Sequence, residues 1–166
     1  MNWLKKNTCF FLFACINAFN ISKHQLHSSS VSAFSPNIKK YDIFRYKSKA
    51  RKLFKKNKSY TNLVEDHHCI PRQWKNHELL EKIDFDINSS SNIIIMPNKK
   101  GKKLLNLHPD YLVHQGGHHR YNIYVKEILD ELNQYERFDD IKYNFWLFLH
   151  HLKFNMKNNQ DNIPWK

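Results

Sequence analysis

Several things are scarce in this sequence. The 166-residue chain has three cysteines, Cys9, Cys15 and Cys69, and no CxxC pair. That argues against a cysteine-built zinc site and, if the first two leave with a cleaved leader, excludes an intrachain disulfide scaffold. No apolar run is long enough for a conventional transmembrane helix. There is no HExxH, which argues against a zinc peptidase, and no repeat of 20–50 residues. Glycine is limited to three positions. Acids are outnumbered, 15 Asp and Glu against 27 Lys and Arg, for a formal charge of +12. That excess says nothing about fold, but it favours an anionic partner, either nucleic acid or an acidic membrane surface. Aromatics make up 14% of the chain. That is enough for a small core, so the composition is not that of a disordered chain.

The chain divides by texture. Residues 1–21 carry Lys5 and Lys6, then an apolar run from Cys9 to Ile16 that extends loosely to Ile21. This suits a signal peptide or an N-terminal anchor, and secretion or membrane attachment is the expectation. Residues 22–62 read as a Ser-rich linker followed by a basic segment. From Lys39 to Asn62 it has ten basic residues and one acid, interleaved with Tyr41, Phe44 and Phe54. That segment is a solvated positive face, a phosphate-contacting arm or a membrane-surface helix. Residues 63–156 read as a folded α+β domain, and 157–166 as a polar tail. Within the domain we expect a strand over Leu63–Cys69, a helix over Trp74–Lys82 and a buried strand over Asn92–Pro97. A basic loop centred on Gly101 follows. A helix over His118–Asn133 has an apolar stripe of Tyr121, Tyr124, Val125, Ile128, Leu129 and Leu132. A last helix over Asp139–Met156 turns Ile141, Phe145, Phe148, Leu149 and Leu152 inward.

Histidine is over-represented. Seven of the eleven lie between residues 67 and 119. His114 and His118, four apart, suit a shared metal on a helix face or across a helix start. One histidine of the His67-His68 pair would complete a three-imidazole site with an open position, as catalytic metals require. The remaining imidazole, with a free pKa of about 6.5, is matched to deprotonating water near neutral pH. One base, one metal and a basic surface are the minimal kit for cutting a phosphodiester.

Three separated motifs, "DHHCIP", "LLEKIDFDINSSSNIIIMP" and "HQGGHHRYN", occur in the order and spacing of a known pattern: Ala-His-His-x-x-Pro, then a "fDIN…N…lP" segment, then His-x-Gly-x-His-x-x-Tyr-Asn. The chain therefore resembles the AHH family of the HNH/endonuclease VII nuclease superfamily over roughly residues 65–133. Asp66 stands where the family has Ala, and His119 where Pro is common. The resemblance implies a ββα-metal finger, two strands and a helix clasping one divalent ion, here with flanking helices. It makes His67 the strand-side metal ligand and His68 the general base. His118 is the helix-side ligand, His114 the next, and Asn122 a reserve. Asn92 falls at the position of an Asn that ties the finger loop together by hydrogen bonds. A register slipped by one residue would make Asp66 the ligand and His67 the base.

Neighbouring strand residues face opposite ways, so His67 and His68 share a site only where the strand ends, and Pro71 supplies an ending. Arg72, His119 and Arg120, beside the two clusters, and the loop lysines Lys99, Lys100, Lys102 and Lys103 are the candidate phosphate contacts. His77 and His108 read as surface residues, and His150 and His151 as structural. The expected activity is metal-dependent endonucleolytic cleavage of nucleic acid, DNA foremost, with low sequence specificity and one Zn²⁺, Ni²⁺, Mn²⁺ or Mg²⁺ ion. The alternative is a non-catalytic, basic nucleic-acid-binding or membrane-surface protein that keeps a nuclease-like fold. In either case membrane contact is expected only through the N-terminal segment, if it is uncleaved. No inhibitor protein is named by these residues.

Overall fold

A β-hairpin-like pair of strands carries the fold's functional residues, and helices pack around it. The computed structural model describes residues 42–158 and 163–165. The leader over 1–21 and the linker as far as residue 41 lie outside the described residues. Among the described residues no helix is long and apolar enough to cross a membrane.

Helix α1 spans Lys49–Asn57. The Ser48 side chain starts it by accepting from the Arg51 N–H at 3.2 Å, relieving one of the unpaired donors at a helix N-terminus. Lys55 and Lys56 in its last turn face the negative end of the helix dipole. Residues 49–57 of the basic segment are thus helical, and they are tied to the domain by side-chain contacts. Buried Arg51 reaches Asp66 at 3.2 Å and the Phe44 carbonyl at 2.9 Å, and Lys55 reaches Asp66 at 2.9 Å.

Strand β1, Val64–His68, pairs antiparallel with β2, Ile93–Pro97, with His67 opposite Ile94 and His68 opposite Ile93. The β-branched run of β2 suits a strand covered on both faces; Ile93, Ile94 and Met96 are buried. Between the strands, the expected helix over Trp74–Lys82 is broken. A 3₁₀ turn covers Arg72–Trp74, and helix α2 covers only Glu78–Lys82. The break has a cause in His77, which caps α2 by accepting from the Leu79 N–H at 3.2 Å through Nδ1. Its Nε2 donates to Asp130 at 3.0 Å. His77 is therefore a cap and a tether between helices, not the surface residue its sequence context suggests.

The expected basic loop after β2 is a short helix, α3, Lys99–Leu104. Asn98 caps it, its side chain accepting from the Gly101 N–H at 2.8 Å. Gly101 is required by close approach: a Cβ there would lie 1.8 Å from the Leu63 carbonyl oxygen.

Helix α4, His119–Asn133, packs on α2, and helix α5, Phe138–Asn158, packs on α4; both bury the expected stripes. Tyr121, Val125, Ile128, Leu129 and Leu132 on α4 are buried, as are Ile141, Phe145, Phe148, Leu149 and Leu152 on α5. Each such apolar side chain contributes about 1.5–3 kcal/mol when fully buried. Tyr124 is only half-buried. Ile163 and Trp165, in the stretch read as a polar tail, are buried in the domain.

Candidate active site

The site is assembled from four pieces of chain. β1 supplies His67 and His68 at its end. The main chain before α4 is tied to β2 by the His114 N–H, which donates to the Pro97 carbonyl at 2.9 Å. His118 stands at the N-terminus of α4 as its cap residue. The fourth piece is the loop after β1, held by Asn92. That side chain is fully buried; it accepts from the Ile70 N–H at 2.7 Å and donates to the carbonyls of Ile70 at 3.0 Å and Ile87 at 2.8 Å. Every polar atom of the amide is used, so two loops that would otherwise be independent are fixed behind the strands.

His67, His114 and His118 come together. One ring nitrogen from each lies within 4.8 Å of the other two, and their ring centroids are 5.3–5.9 Å apart. The chemistry of these nitrogens is informative. His67 Nε2 and His118 Nε2 are buried and have no hydrogen-bond partner, although buried polar atoms are normally satisfied. His118 Nδ1 lies 3.3 Å from the Trp165 carbonyl oxygen, and His114 Nδ1 lies 2.8 Å from a Glu65 carboxylate oxygen. A carbonyl only accepts, and so does an ionised carboxylate. Each Nδ1 must therefore carry the proton, and a neutral ring leaves Nε2 with a bare lone pair. Burial holds His67 down to about 3, assisted by the neighbouring His114, His118 and His68, and burial also lowers His118. Two unpartnered, buried imidazole nitrogens with a third imidazole within 4.8 Å are a donor set that fits a divalent metal ion.

His68 faces a different environment. Its Nε2 is 3.3 Å from Asn88 Oδ1, and its ring packs edge-on against Tyr46 at 4.4 Å between centroids. Tyr46 is held there by its N–H, which donates to the Asn88 carbonyl at 2.8 Å. Burial lowers the pKa of His68; the Asn88 hydrogen bond opposes that shift and Arg72 reinforces it. The ring is neutral near pH 7, the form a base needs. His67, His68 and His114 open into one cleft of about 480 Å³ whose rim includes Tyr46, Lys47 and Arg72.

The other candidates distribute as follows. Arg72 lines the cleft and lies over the Tyr46 ring at 5.5 Å. Asn122 also lines the cleft, with its amide 3.3 Å from Gln73. Asp66 also lines the cleft, but its carboxylate is paired with Arg51 and Lys55, and it leaves β1 on the opposite face from His67. That pairing argues against the slipped register in which Asp66 would hold the metal. Lys102 is spent on the carbonyls of Pro109 and Tyr111, so it braces the loop before His114 instead of offering a free charge to phosphate. Lys99, Lys100 and Lys103 are exposed on α3, and His119 and Arg120 on α4; none of the five lines the cleft. The lysines that do line it are Lys47 and Lys55 of the basic segment.

Four contributors escape a reading of motifs alone: Glu65, Tyr46, Asn88 and Trp165. Glu65 and Asn88 lie in or beside the quoted motifs. Tyr46 is an aromatic among lysines, and Trp165 a large apolar side chain in a polar stretch. Their only sequence signal is that incongruity.

A family model described as AHH, "a nuclease family of the HNH/ENDO VII superfamily with conserved AHH", matches residues 48–143. The chain belongs to the AHH nuclease family. The match takes in α1 as well as the strands, α4 and all three clustered histidines. Membership carries nuclease-type hydrolysis with nucleic acid as substrate. The α+β architecture, with its two-stranded antiparallel sheet and several helices, is compatible with an HNH-like core. Nucleases of that superfamily typically use a divalent metal, and this AHH member carries a three-histidine cluster suited to one. No curated protein and no solved structure matches the chain.

Proposed function

We propose that the protein is a metal-dependent endonuclease, with DNA as its main substrate and little sequence preference. The observation that carries this reading is the pairing of two histidine environments at one cleft. One is a trio of converging imidazoles, two of whose nitrogens have no partner; the other is a single neutral imidazole held by Asn88.

In this reading His67, His114 and His118 hold the ion. When bound, a divalent metal supplies positive charge that stabilises the phosphate and leaving oxygen in the transition state. His68 accepts a proton from the attacking water. With its Nε2–H donated to Asn88, the free lone pair of His68 is on Nδ1, which fixes the atom that takes the proton. Arg72 and Lys47 on the rim hold the phosphate backbone. Such contacts position a strand without reading bases, which supports low specificity and steep salt dependence. The donor set suits Zn²⁺, Ni²⁺ or Mn²⁺, and Mg²⁺ remains in play for activity. The apolar segment within residues 1–21 supports export or membrane attachment, which fractionation of the native host tests directly.

The experiment is cleavage of supercoiled plasmid by purified protein stripped with chelator and then supplied with each ion in turn. Nicking should depend on metal and be suppressed by salt. Tight plasmid binding with no cleavage under any of the four ions would establish the alternative of a binding protein on a nuclease fold.

A further inference from the structure

Trp165 lies outside the family match, which ends at residue 143, yet its ring sits directly on the histidine trio. It is tilted at 35° over His118, with centroids 4.0 Å apart. It lies 5.1 Å from His67 and 5.4 Å from Tyr121. It is 8% exposed, and Ile163 beside it is 5% exposed. Neither Trp165 nor His118 lines the cleft in which His67, His68 and His114 are reached. Trp165 therefore stands behind the trio, away from the substrate opening.

Its main chain does further work. His118 is the cap residue of α4, a position where a side chain commonly accepts from the helix's own N–H groups, yet His118 makes no such bond. Its Nδ1 turns instead to the Trp165 carbonyl at 3.3 Å. That carbonyl can only accept, so it selects the tautomer with the proton on Nδ1 and leaves Nε2 bare, buried and aimed at the trio. Metal-binding histidines are generally oriented by such a partner on their other nitrogen, and losing it typically weakens metal binding roughly 10- to 100-fold. Glu65 fills that role for His114.

We propose that the 163–165 stretch is a positioning element of the metal site. The Trp165 carbonyl sets the tautomer of His118, and the Trp165 ring locks the two imidazoles His118 and His67 in place while excluding water from behind. This rests on the metal reading above. It adds that the site is completed by chain beyond the family domain.

The test uses the full chain, stripped of metal, as wild type, Trp165→Ala and Trp165→Phe. Titration with Zn²⁺ and with Co²⁺, the latter followed by visible absorption, gives affinity and coordination. Nitrogen-15 spectra of the metal-free protein give the His118 tautomer. We expect Trp165→Ala to bind roughly 10- to 100-fold more weakly with an altered Co²⁺ spectrum. Trp165→Phe should recover most of the loss, because a flat ring still covers His118. In the metal-free wild type, His118 should be protonated on Nδ1; Trp165→Ala keeps the main-chain carbonyl but loses the ring that seats it beside His118, so there the tautomer should become a mixture. Unchanged affinity and an unchanged Co²⁺ spectrum in Trp165→Ala overturn the proposal. Failure of wild type to bind any ion sinks the metal reading instead; the tautomer in metal-free wild type then decides the role of Trp165, with an Nε2-protonated ring refuting it. If Trp165→Ala does not fold, the same wild-type tautomer decides: a proton on Nδ1 supports the proposal, and a proton on Nε2 overturns it.

Discussion

His67 and His68 are consecutive residues of one strand, yet the regions they enter differ in almost every physical respect. The His67 side is an enclosed corner: three imidazoles, a tryptophan behind them, and two ring nitrogens with nothing to bond. The His68 side is a polar rim: an amide, a phenol and a guanidinium within reach, and a ring nitrogen that has a partner. Strand alternation produces this split without further design, because neighbouring side chains leave a strand on opposite faces. Both reach one cleft because His68 is the last residue of β1, with Pro71 close behind. Two identical side chains thus acquire separate chemistry, one suited to hold a cation and the other to move a proton.

The largest effect that would break this contrast is on the enclosed side. His67→Ala should abolish stoichiometric metal binding in a calorimetric titration and reduce plasmid cleavage to the level seen with chelator. Metal binding that survives would mean that the trio is not the site.

Acid sharpens the contrast next. His67 titrates at about 3 in the folded, metal-free protein against 6.5 ordinarily, and His68 and His118 are shifted in the same direction. The unfolded chain therefore takes up these protons first. Their contribution to stability is complete above about pH 6.5 and is lost as pH falls toward 3. Denaturant titrations of metal-free protein across that window should show a steady decline. His67→Gln should flatten it more than His68→Gln, since the enclosed ring is the more strongly shifted.

On the rim the effects are smaller. Asn88→Ala should slow cleavage about tenfold, less than the roughly 100- to 10,000-fold a positioned base itself contributes, with metal affinity unchanged. Asn88→Asp, which keeps the acceptor, should restore most of the rate. Smallest of all, Lys47→Ala should weaken DNA binding uniformly across sequences. Removing one phosphate-binding charge should make the dependence of log affinity on log salt shallower by about 0.9 on duplex DNA.

What the sequence made legible follows the same division. The His67–His114–His118 set and Asn92 could be read because short motifs carry them at fixed spacings. The helical stripes of α4 and α5 could be read because burial imposes a period. Helix α3 was hidden because its lysines and Gly101 look like a loop; the decisive features are the cap at Asn98 and a backbone approach to Leu63, far upstream in the chain. Tyr46 and Trp165 were hidden for a related reason. Each reaches the site through tertiary contacts from segments that carry no motif, and only the folded chain brings them to His68 and His118. Lys102 misled in the other direction: its charge is plain in the sequence, but the two loop carbonyls that occupy it are not.

The most direct test of the division of labour is the plasmid-nicking rate of His68→Ala protein loaded with one equivalent of metal. The rate should fall roughly 100- to 10,000-fold below wild type, with metal bound as tightly as before. Nicking at the wild-type rate by the metal-loaded variant would contradict the assignment of His68 as the base.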